Sequence, residues 1–373
     1  MMTRKLLISG AIALTAWSAG ASADITIGAL FPMSGPNAVY NDIFGSGSNL
    51  AVKHINEDKF LDQPLAIQYE DSQALPQQGV IGMNKLVNVH RVSYVMSAFT
   101  GVSKAISTIG ARTKTVAING GGVGPDLAEL GPYFWNIIPL ANYEVKAILP
   151  YLIQERGAKR FVLVYVDDPL GAAIKKEMQE GLGQEGTALV DAFSVPASAQ
   201  QFSGIAARVR AARPDVVYIA SYGTQQAQII KQFRDNGVTQ QLASYSALSI
   251  PEIHSMPEAK GTLYTSQSID WQSNDPVTRR FVDDYKAAHN KLPSTYTANY
   301  YNAVRLFGLL AGELQKRGKS ITGENLLAQR METREFDMVG GSVTFNENGT
   351  VISAMQINEV DGNGGRVVKV LAE

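Results

Sequence analysis

The chain alternates short runs rich in β-branched and aromatic residues with longer stretches of helical period. "LAIQYED" precedes a helical pattern at 77–90, "VSYVMSA" one at 102–112, and "KRFVLVYVDD" one at 170–185. "PDVVYIAS" likewise precedes "TQQAQIIKQFRDNG", which ends in an Asn-Gly helix stop. Apolar strands between amphipathic helices are typical of parallel sheets covered by helices on both faces. The sequence therefore predicts an α/β protein.

The alternation occurs in two successive halves, which predicts two such sheets. The chain has 373 residues, enough for two domains that each bury a core. Three segments are candidates for crossings between the halves: "FWNIIPLANYEV", "SIDWQSNDP" and "FNENGT". The predicted N-terminal lobe is 24–141 with 272–349, and the predicted C-terminal lobe is 142–271 with 350–373. Three crossings between two open sheets would form a hinge.

The N-terminus has the pattern of a secretory signal peptide. Arg4 and Lys5 precede the apolar stretch "LLISGAIALTAWSAG", and "ASAD" supplies a small-x-small cleavage site after Ala23. The alternative is an uncleaved membrane anchor, but the apolar stretch is shorter than the ~20 residues that a spanning helix needs. We expect residues 1–23 to be removed and the protein to be exported, to the periplasm.

Composition excludes several classes of site. The chain has no Cys, so it contains neither disulfides nor thiolate metal sites. Lys plus Arg number 33 against 34 Asp plus Glu, and this near balance without a basic run argues against nucleic acid or an anionic membrane surface as partner. The protein is expected to be a monomer.

Enzyme motifs are missing as well. "NGGGVGPD" has neither the G-x-G-x-x-G spacing of dinucleotide folds nor a P-loop Gly-Lys-Ser/Thr, and no H-E-x-x-H occurs. Asp167 and Asp168 could be a metal pair, but adjacent acids after a strand are more often a helix N-cap and a solvated neighbour. We expect no catalysis, no metal and no cofactor.

The loops that directly follow the predicted strands are rich in Gly, Ser, Thr and Tyr. They read "MSGPNAVY", "AFTGVS", "NGGGVGPD", "VDDPLG", "ASYGT" and "SYSAL". In open parallel sheets, ligands bind beyond the carboxyl ends of the strands. The free N–H groups and the dipole of the helix that starts near residue 102 favour an anion there.

In their order and spacing, these segments resemble the type I periplasmic binding proteins of branched-chain amino-acid ABC transporters. "IGALFPMSGPNAVY", "QYEDSQALPQQGV", "SAFTGVSKA", "VYVDDPLGAAI" and "VGGSVTFNENG" fall in the expected order along essentially the whole chain after residue 23. The resemblance implies two Rossmann-like lobes with parallel central sheets, which close by a hinge on a small molecule and deliver it to a membrane permease. A ligand-sensing module of the same fold is an alternative.

The resemblance also implies ligand-binding residues in the N-terminal lobe. Tyr40 stands at the position where the family places an aromatic residue that covers the ligand. Thr100, with Phe99 and Gly101, matches the loop whose hydroxyl and amides hold the ligand carboxylate.

Further matches lie in other loops. Gly121 and Val123 match a second loop, which holds the ligand's carboxylate and ammonium. Tyr222 matches a tyrosine from the far lobe, and Tyr296 an aromatic residue on a long helix.

Three positions depart from the family pattern. Ser246 stands where amino-acid binders carry a glutamate for the α-ammonium, Val123 replaces a hydroxyl residue, and Leu170 replaces a tyrosine. A buried ammonium without an anionic partner is costly. The predicted site thus retains the groups that bind a ligand's carboxylate and lacks the group that binds its ammonium.

The ligand hypothesis follows from this asymmetry. An aromatic wall that includes Tyr245, beside an anion site, indicates an aromatic acid of the benzoate or cinnamate type. If Glu252 or Asp168 supplied the missing anion, a branched-chain or aromatic amino acid would be the ligand instead. A small amide or a dicarboxylate also stays open.

Overall fold

The computed structural model describes residues 24–362 and 364–371, so the predicted signal peptide lies outside the described residues. The strands are β1 (Ile25–Phe31), β2 (Leu65–Asp71), β3 (Tyr94–Ser97), β4 (Val116–Asn119), β5 (Phe134–Asn136), β6 (Phe161–Val166), β7 (Leu189–Val195), β8 (Val216–Ala220), β9 (Gln241–Ser244), β10 (Leu263–Gln267), β11 (Glu335–Met338), β12 (Gly341–Phe345), β13 (Val351–Ile352), β14 (Met355–Val360) and β15 (Gly365–Leu371). The helices are α1 (Val39–Glu57), α2 (Pro76–Asn88), α3 (Thr100–Thr113), α4 (Ala141–Pro150), α5 (Pro169–Gln184), α6 (Ser203–Ala212), α7 (Gly223–Asp235), α8 (Pro251–His254), α9 (Pro276–His289), α10 (Thr295–Lys316) and α11 (Gly323–Thr333).

Two separate sheets form the centre of the structure. One has five strands in the order β2-β1-β3-β4-β5, and all of its pairs are parallel. The other has seven strands in the order β15-β14-β10-β9-β8-β6-β7. Its strands from β7 to β10 are parallel, whereas β14 and β15 add an antiparallel edge. The predicted α/β class with parallel central sheets is confirmed.

We call the five-stranded sheet with α1–α3 and α9–α11 the near lobe, and the seven-stranded sheet with α4–α8 the far lobe. The chain passes between the lobes after β5, after β10 and after β13. β13 still pairs with β12 in a small antiparallel sheet of β11, β12 and β13, so the third passage comes just after Ile352.

Local sequence signals explain where several helices begin. Asp168 caps α5 and Asp275 caps α9, each through a side-chain oxygen that accepts a backbone N–H three residues later. Ser294 and Thr297 form a reciprocal capping box at the start of α10. Because these side chains accept hydrogen bonds from the free amides of the first turn, the local sequence determines where the three helices begin.

A buried arginine holds the loop between β12 and β13 in the near lobe. Arg330 of α11 is fully buried, and its guanidinium lies 5.0 Å from the ring centre of Trp135 in β5. It donates to the carbonyl oxygens of Asn346 at 2.9 Å and Glu347 at 3.2 Å. The segment before β13 is therefore held by backbone contacts to a near-lobe side chain.

Within the described ranges, no helix has both the length and the apolar character needed to cross a membrane.

Candidate ligand-binding site

A cavity of about 430 Å³ lies between the two lobes, beyond the carboxyl ends of the central strands. The predicted site residues that line it are Tyr40, Phe99, Thr100, Gly101, Gly121, Leu170, Tyr222 and Tyr296. They come from both sheets and from α10, and the tertiary structure brings them to one place. This is the position at which open parallel sheets bind ligands.

The start of α3 provides the polar end of the cavity in the near lobe. Phe99, the residue before the helix, has φ of 65°, and its apolar side chain makes no capping hydrogen bond to the free amides of the first turn. The hydroxyl of Thr100 accepts a 3.0 Å hydrogen bond from the N–H of Gly124, which leaves its own hydrogen available to an acceptor in the cavity. Uncapped amides and a hydroxyl at a helix N-terminus suit a carboxylate.

The glycine loop packs directly against this helix start. A Cβ on Gly122 would lie only 2.9 Å from the backbone nitrogen of Thr100, so a glycine is required for the close approach. The side chain of Asn119, at the end of β4, accepts from the N–H groups of Gly121 at 3.2 Å and Gly122 at 2.7 Å. The amide of Gly121 is thus engaged by Asn119.

Sequence reasoning missed Asn119, although a polar residue at the end of a buried strand is a readable signal. It also missed Phe44, which lines the cavity one helical turn after Tyr40 on α1. The i, i+4 spacing of two aromatic residues could have revealed that both lie on one helix face.

Aromatic rings form most of the cavity wall. Tyr40 stacks on Phe44 with ring centres 5.4 Å apart and meets Phe99 edge-on at 5.5 Å. Tyr296 lies 5.9 Å from Tyr40, and Tyr222 of the far lobe lies 5.6 Å from Phe99. These rings contact one another and form a continuous aromatic surface, against which a flat apolar group in the cavity could pack.

Asp168 is the acidic residue that lines the cavity. Its Oδ1 accepts from the N–H of Gly171 at 2.8 Å, as the cap of α5, and its Oδ2 accepts from the hydroxyl of Tyr222 at 2.7 Å. Burial is the main reason why the pKa of Asp168 is raised above its ordinary value. Glu252, the other acid considered from the sequence, is exposed and lines a separate cavity.

Val123 and Ser246 lie behind the residues that line the cavity. Val123 is buried in the core, and its carbonyl oxygen accepts from the N–H of Ala141 at 2.7 Å. Ser246 donates from both its backbone N–H and its hydroxyl to the carboxylate of Glu144, each at 2.7 Å. The donors of Ser246 are therefore directed at Glu144 of α4.

Glu144 is a buried acid that the sequence did not single out. It is 1 % exposed and also accepts from the hydroxyl of Thr265 at 2.9 Å. Burial raises the pKa of Glu144 to about 7, against the lowering effect of its hydrogen bonds to Ser246 and Thr265. An acid in the first turn of a helix ordinarily indicates a favourable interaction with the helix N-terminus, so this position carries no local signal of burial.

The two lobes touch at the rim of the cavity. The hydroxyl of Tyr40 accepts a 3.1 Å hydrogen bond from the N–H of Gly223, and the hydroxyl of Thr224 donates to the carbonyl oxygen of Pro36 at 3.0 Å. Gly223 has φ of +58°, and a Cβ there would lie 2.5 Å from Oδ1 of Asn37. The start of α7 can therefore approach the near lobe this closely because it begins with glycine.

Comparison with known proteins agrees with this architecture. Residues 24–366 match a family model described as periplasmic binding protein. The chain is 26% identical over 359 residues to the Leu/Ile/Val-binding protein BraC3 of Rhizobium johnstonii, an alignment that covers 94% of this chain and 95% of the relative.

Two crystal structures show the same fold. The leucine-binding protein of Thermotoga maritima has a TM-score of 0.84 at 19% identity, covering 93% of this chain and 98% of the other. A solute-binding protein of an ABC transporter from R. palustris, in complex with benzoate, also has a TM-score of 0.84 at 16% identity. That alignment covers 94% of this chain and 98% of the other. At these identities the structures establish the fold and leave the ligand open.

Proposed function

This chain belongs to the periplasmic binding protein family and has the fold of ABC-transporter solute-binding proteins, and we propose that its ligand is an aromatic carboxylate of the benzoate or cinnamate type. Closure of the two lobes would enclose the ligand, and the closed form would deliver it to a membrane permease. We further propose that residues 1–23 direct export to the periplasm and are then removed.

The observation that carries this proposal is the composition of the cavity. Tyr40, Phe44, Phe99, Tyr222 and Tyr296 surround a space of about 430 Å³, which suits a small flat molecule. Within the described part of the chain, the residues that line it include no Lys or Arg, so an anion would be held by the open start of α3 and the hydroxyl of Thr100. An aromatic ring beside a carboxylate matches both features.

An amino acid is the second candidate, and Asp168 favours it because a carboxylate in the cavity could pair with an ammonium group. Two observations weigh against it. Partial burial raises the pKa of Asp168, which disfavours the charged carboxylate that an ammonium group would need. Ser246, which the resemblance places near the α-ammonium, is neutral and donates to Glu144.

A thermal-unfolding screen of the chain without residues 1–23 separates these candidates. The compounds are benzoate, cinnamate, leucine, valine and phenylalanine, with benzamide as the neutral analogue of benzoate. A ligand at ~1,000 times its dissociation constant adds about 4 kcal/mol of stability, which raises the melting temperature by several degrees.

We expect benzoate or cinnamate to raise the melting temperature and benzamide to have little effect, since benzamide lacks the charge that α3 would stabilise. A shift with leucine or valine and none with the aromatic acids would overturn the proposed ligand class. Equal shifts with benzoate and benzamide would show that the start of α3 does not bind an anion.

A further inference from the structure

The cavity contains a buried hydroxyl group that has no protein partner. Tyr245 comes directly after β9, is 1 % exposed and lines the cavity. Among the residues that the structure describes, none forms a hydrogen bond with its hydroxyl oxygen. Because buried polar groups are almost always hydrogen-bonded, an unpaired hydroxyl in a binding cavity indicates that the ligand supplies the partner.

Tyr245 shares the cavity with two other polar groups of the far lobe, Tyr222 and Asp168. Burial, followed by the effects of nearby Tyr296, Tyr40, Tyr222 and Asp168, raises the pKa of the Tyr245 phenol well above its ordinary value. All four neighbours also line the cavity. The unpaired hydroxyl therefore belongs to the same space as the Tyr222–Asp168 pair.

That pair can still accept hydrogen bonds. The hydroxyl of Tyr222 donates its hydrogen to Oδ2 of Asp168 at 2.7 Å, so the lone pairs of the Tyr222 oxygen stay available. A carboxylate has about four lone-pair positions, and in Asp168 the donors are Gly171, Tyr222 and the backbone N–H of Leu170, so one position stays open. The far lobe thus offers one donor, Tyr245, in the same cavity as acceptors on Tyr222 and Asp168.

We propose that Tyr245, Tyr222 and Asp168 form a subsite for a phenolic hydroxyl, so that the protein prefers ring-hydroxylated aromatic acids to unsubstituted ones. The inference rests on the proposed function, because it assumes that the ligand's carboxylate docks at the start of α3. The ligand hydroxyl accepts a hydrogen bond from Tyr245 and donates its own hydrogen to the oxygen of Tyr222 or Asp168. A neutral hydroxyl makes both bonds without bringing a charge into the far lobe.

The chain offers a matched control for Tyr245. Tyr218 in β8 is also fully buried with a hydroxyl that lacks a partner in the described structure, but it is not among the residues that line the cavity. Replacing either tyrosine with phenylalanine removes one unpaired buried hydroxyl and keeps the ring. Only the change at Tyr245 is expected to alter ligand preference.

The test is calorimetric titration of the chain without residues 1–23 with benzoate, 3-hydroxybenzoate, 4-hydroxybenzoate, cinnamate and 4-hydroxycinnamate. We expect at least one hydroxylated acid to bind about 10-fold more tightly than its unsubstituted parent. Tyr245→Phe should abolish this preference, so that the hydroxylated acid and its unsubstituted parent bind with similar affinity. Tyr218→Phe should retain the preference.

The outcomes separate the subsite from the proposed function. Binding of benzoate or cinnamate without any preference for hydroxylated acids, or a preference that persists in Tyr245→Phe, would overturn the subsite and leave the aromatic ligand class standing. Binding of amino acids alone would overturn both. If Tyr245→Phe does not fold, Asp168→Asn, which keeps the oxygen that caps α5, should reduce the same preference.

Discussion

The hydroxyl of Tyr40 accepts a 3.1 Å hydrogen bond from the backbone N–H of Gly223, across the cleft between the near and far lobes. Both residues lie at starts of helices, α1 and α7, that face each other over the cavity. The bond can exist only when the lobes are together, so it contributes to closure and not to the folding of either lobe. This relationship leads to two tests of closure.

Tyr40→Phe should weaken ligand binding by roughly 2- to 10-fold, because a buried hydrogen bond contributes about 0.5–1.5 kcal/mol and this one forms only in the closed state. The control is Tyr300→Phe, which removes a 2.7 Å bond to the carbonyl oxygen of Ser97 inside the near lobe. Calorimetric titration and urea unfolding measure the two effects. Tyr40→Phe should lower ligand affinity, whereas Tyr300→Phe should lower the free energy of unfolding. The reverse pattern would contradict a role of Tyr40 in closure.

Gly223→Ala should reduce ligand affinity severalfold. The new Cβ would meet Oδ1 of Asn37 at 2.5 Å, and φ of +58° disfavours alanine in any case. Gly261→Ala isolates the backbone effect, since Gly261 has φ of +80° and open space around its Cβ position. We expect both variants to lose about 1 kcal/mol of stability from backbone strain, and only Gly223→Ala to lose affinity. Small-angle scattering in the presence of ligand should show that Gly223→Ala is more open than the wild type. Equal ligand affinities of Gly223→Ala and Gly261→Ala would exclude a steric effect on closure.

Glu144→Gln should change how stability depends on pH. Burial raises the pKa of Glu144 from 4.5 to about 7, so between these values the folded protein binds a proton that the unfolded chain has released. Protonated Glu144 therefore contributes to the free energy of unfolding. This contribution is fully present below about pH 4.5 and is lost as the pH rises through 7, a total loss of a few kcal/mol. Urea unfolding at pH 5 and pH 8 measures the difference.

Relative to Glu144→Gln, the wild type should therefore become less stable as the pH rises from 5 to 8. Glu252→Gln, which changes an exposed acid of the same lobe, should follow the wild type across this range. Parallel pH profiles for wild type and Glu144→Gln would show that Glu144 does not titrate in the folded protein near neutral pH.

Arg330→Lys should destabilise the protein by about 1–3 kcal/mol. A lysine cannot stack on Trp135 and donate to the carbonyl oxygens of Asn346 and Glu347 with the geometry of a guanidinium. Arg334→Lys is the matched control, because Arg334 is exposed and pairs with Glu347 at the surface. That variant should change stability by less than about 0.5 kcal/mol. Similar losses in the two variants would contradict a structural role for the buried guanidinium.

Much of the fold and of the cavity lining could be predicted from the sequence because parallel sheets place strand ends together. The residues that follow β1, β3, β6 and β8 are read directly from the chain, and Tyr40, Thr100, Leu170 and Tyr222 all line one cavity. The period of apolar residues identifies a strand and its end without reference to the rest of the molecule. Phe44 was missed only because its spacing from Tyr40 was not used.

Ser246 shows where this reasoning stops. It also follows a strand, β9, but its N–H and hydroxyl are directed at Glu144, which lies 102 positions earlier in the chain. Its neighbour Tyr245 lines the cavity with an unpaired hydroxyl. Nothing in the local pattern distinguishes these two adjacent residues, because their side-chain directions depend on what packs against them.

The sequence by itself determined the α/β class, the two sheets and the set of loops that meet at the cleft, since hydrophobic periodicity and strand ends are local properties. Only the tertiary structure decided which of those loop residues face the cavity, that Asp168 is bound by Tyr222, and that Tyr40 meets Gly223 across the cleft. Hydrogen bonds and burial between distant segments arise when the chain is packed, and no short stretch of sequence encodes its long-range partner.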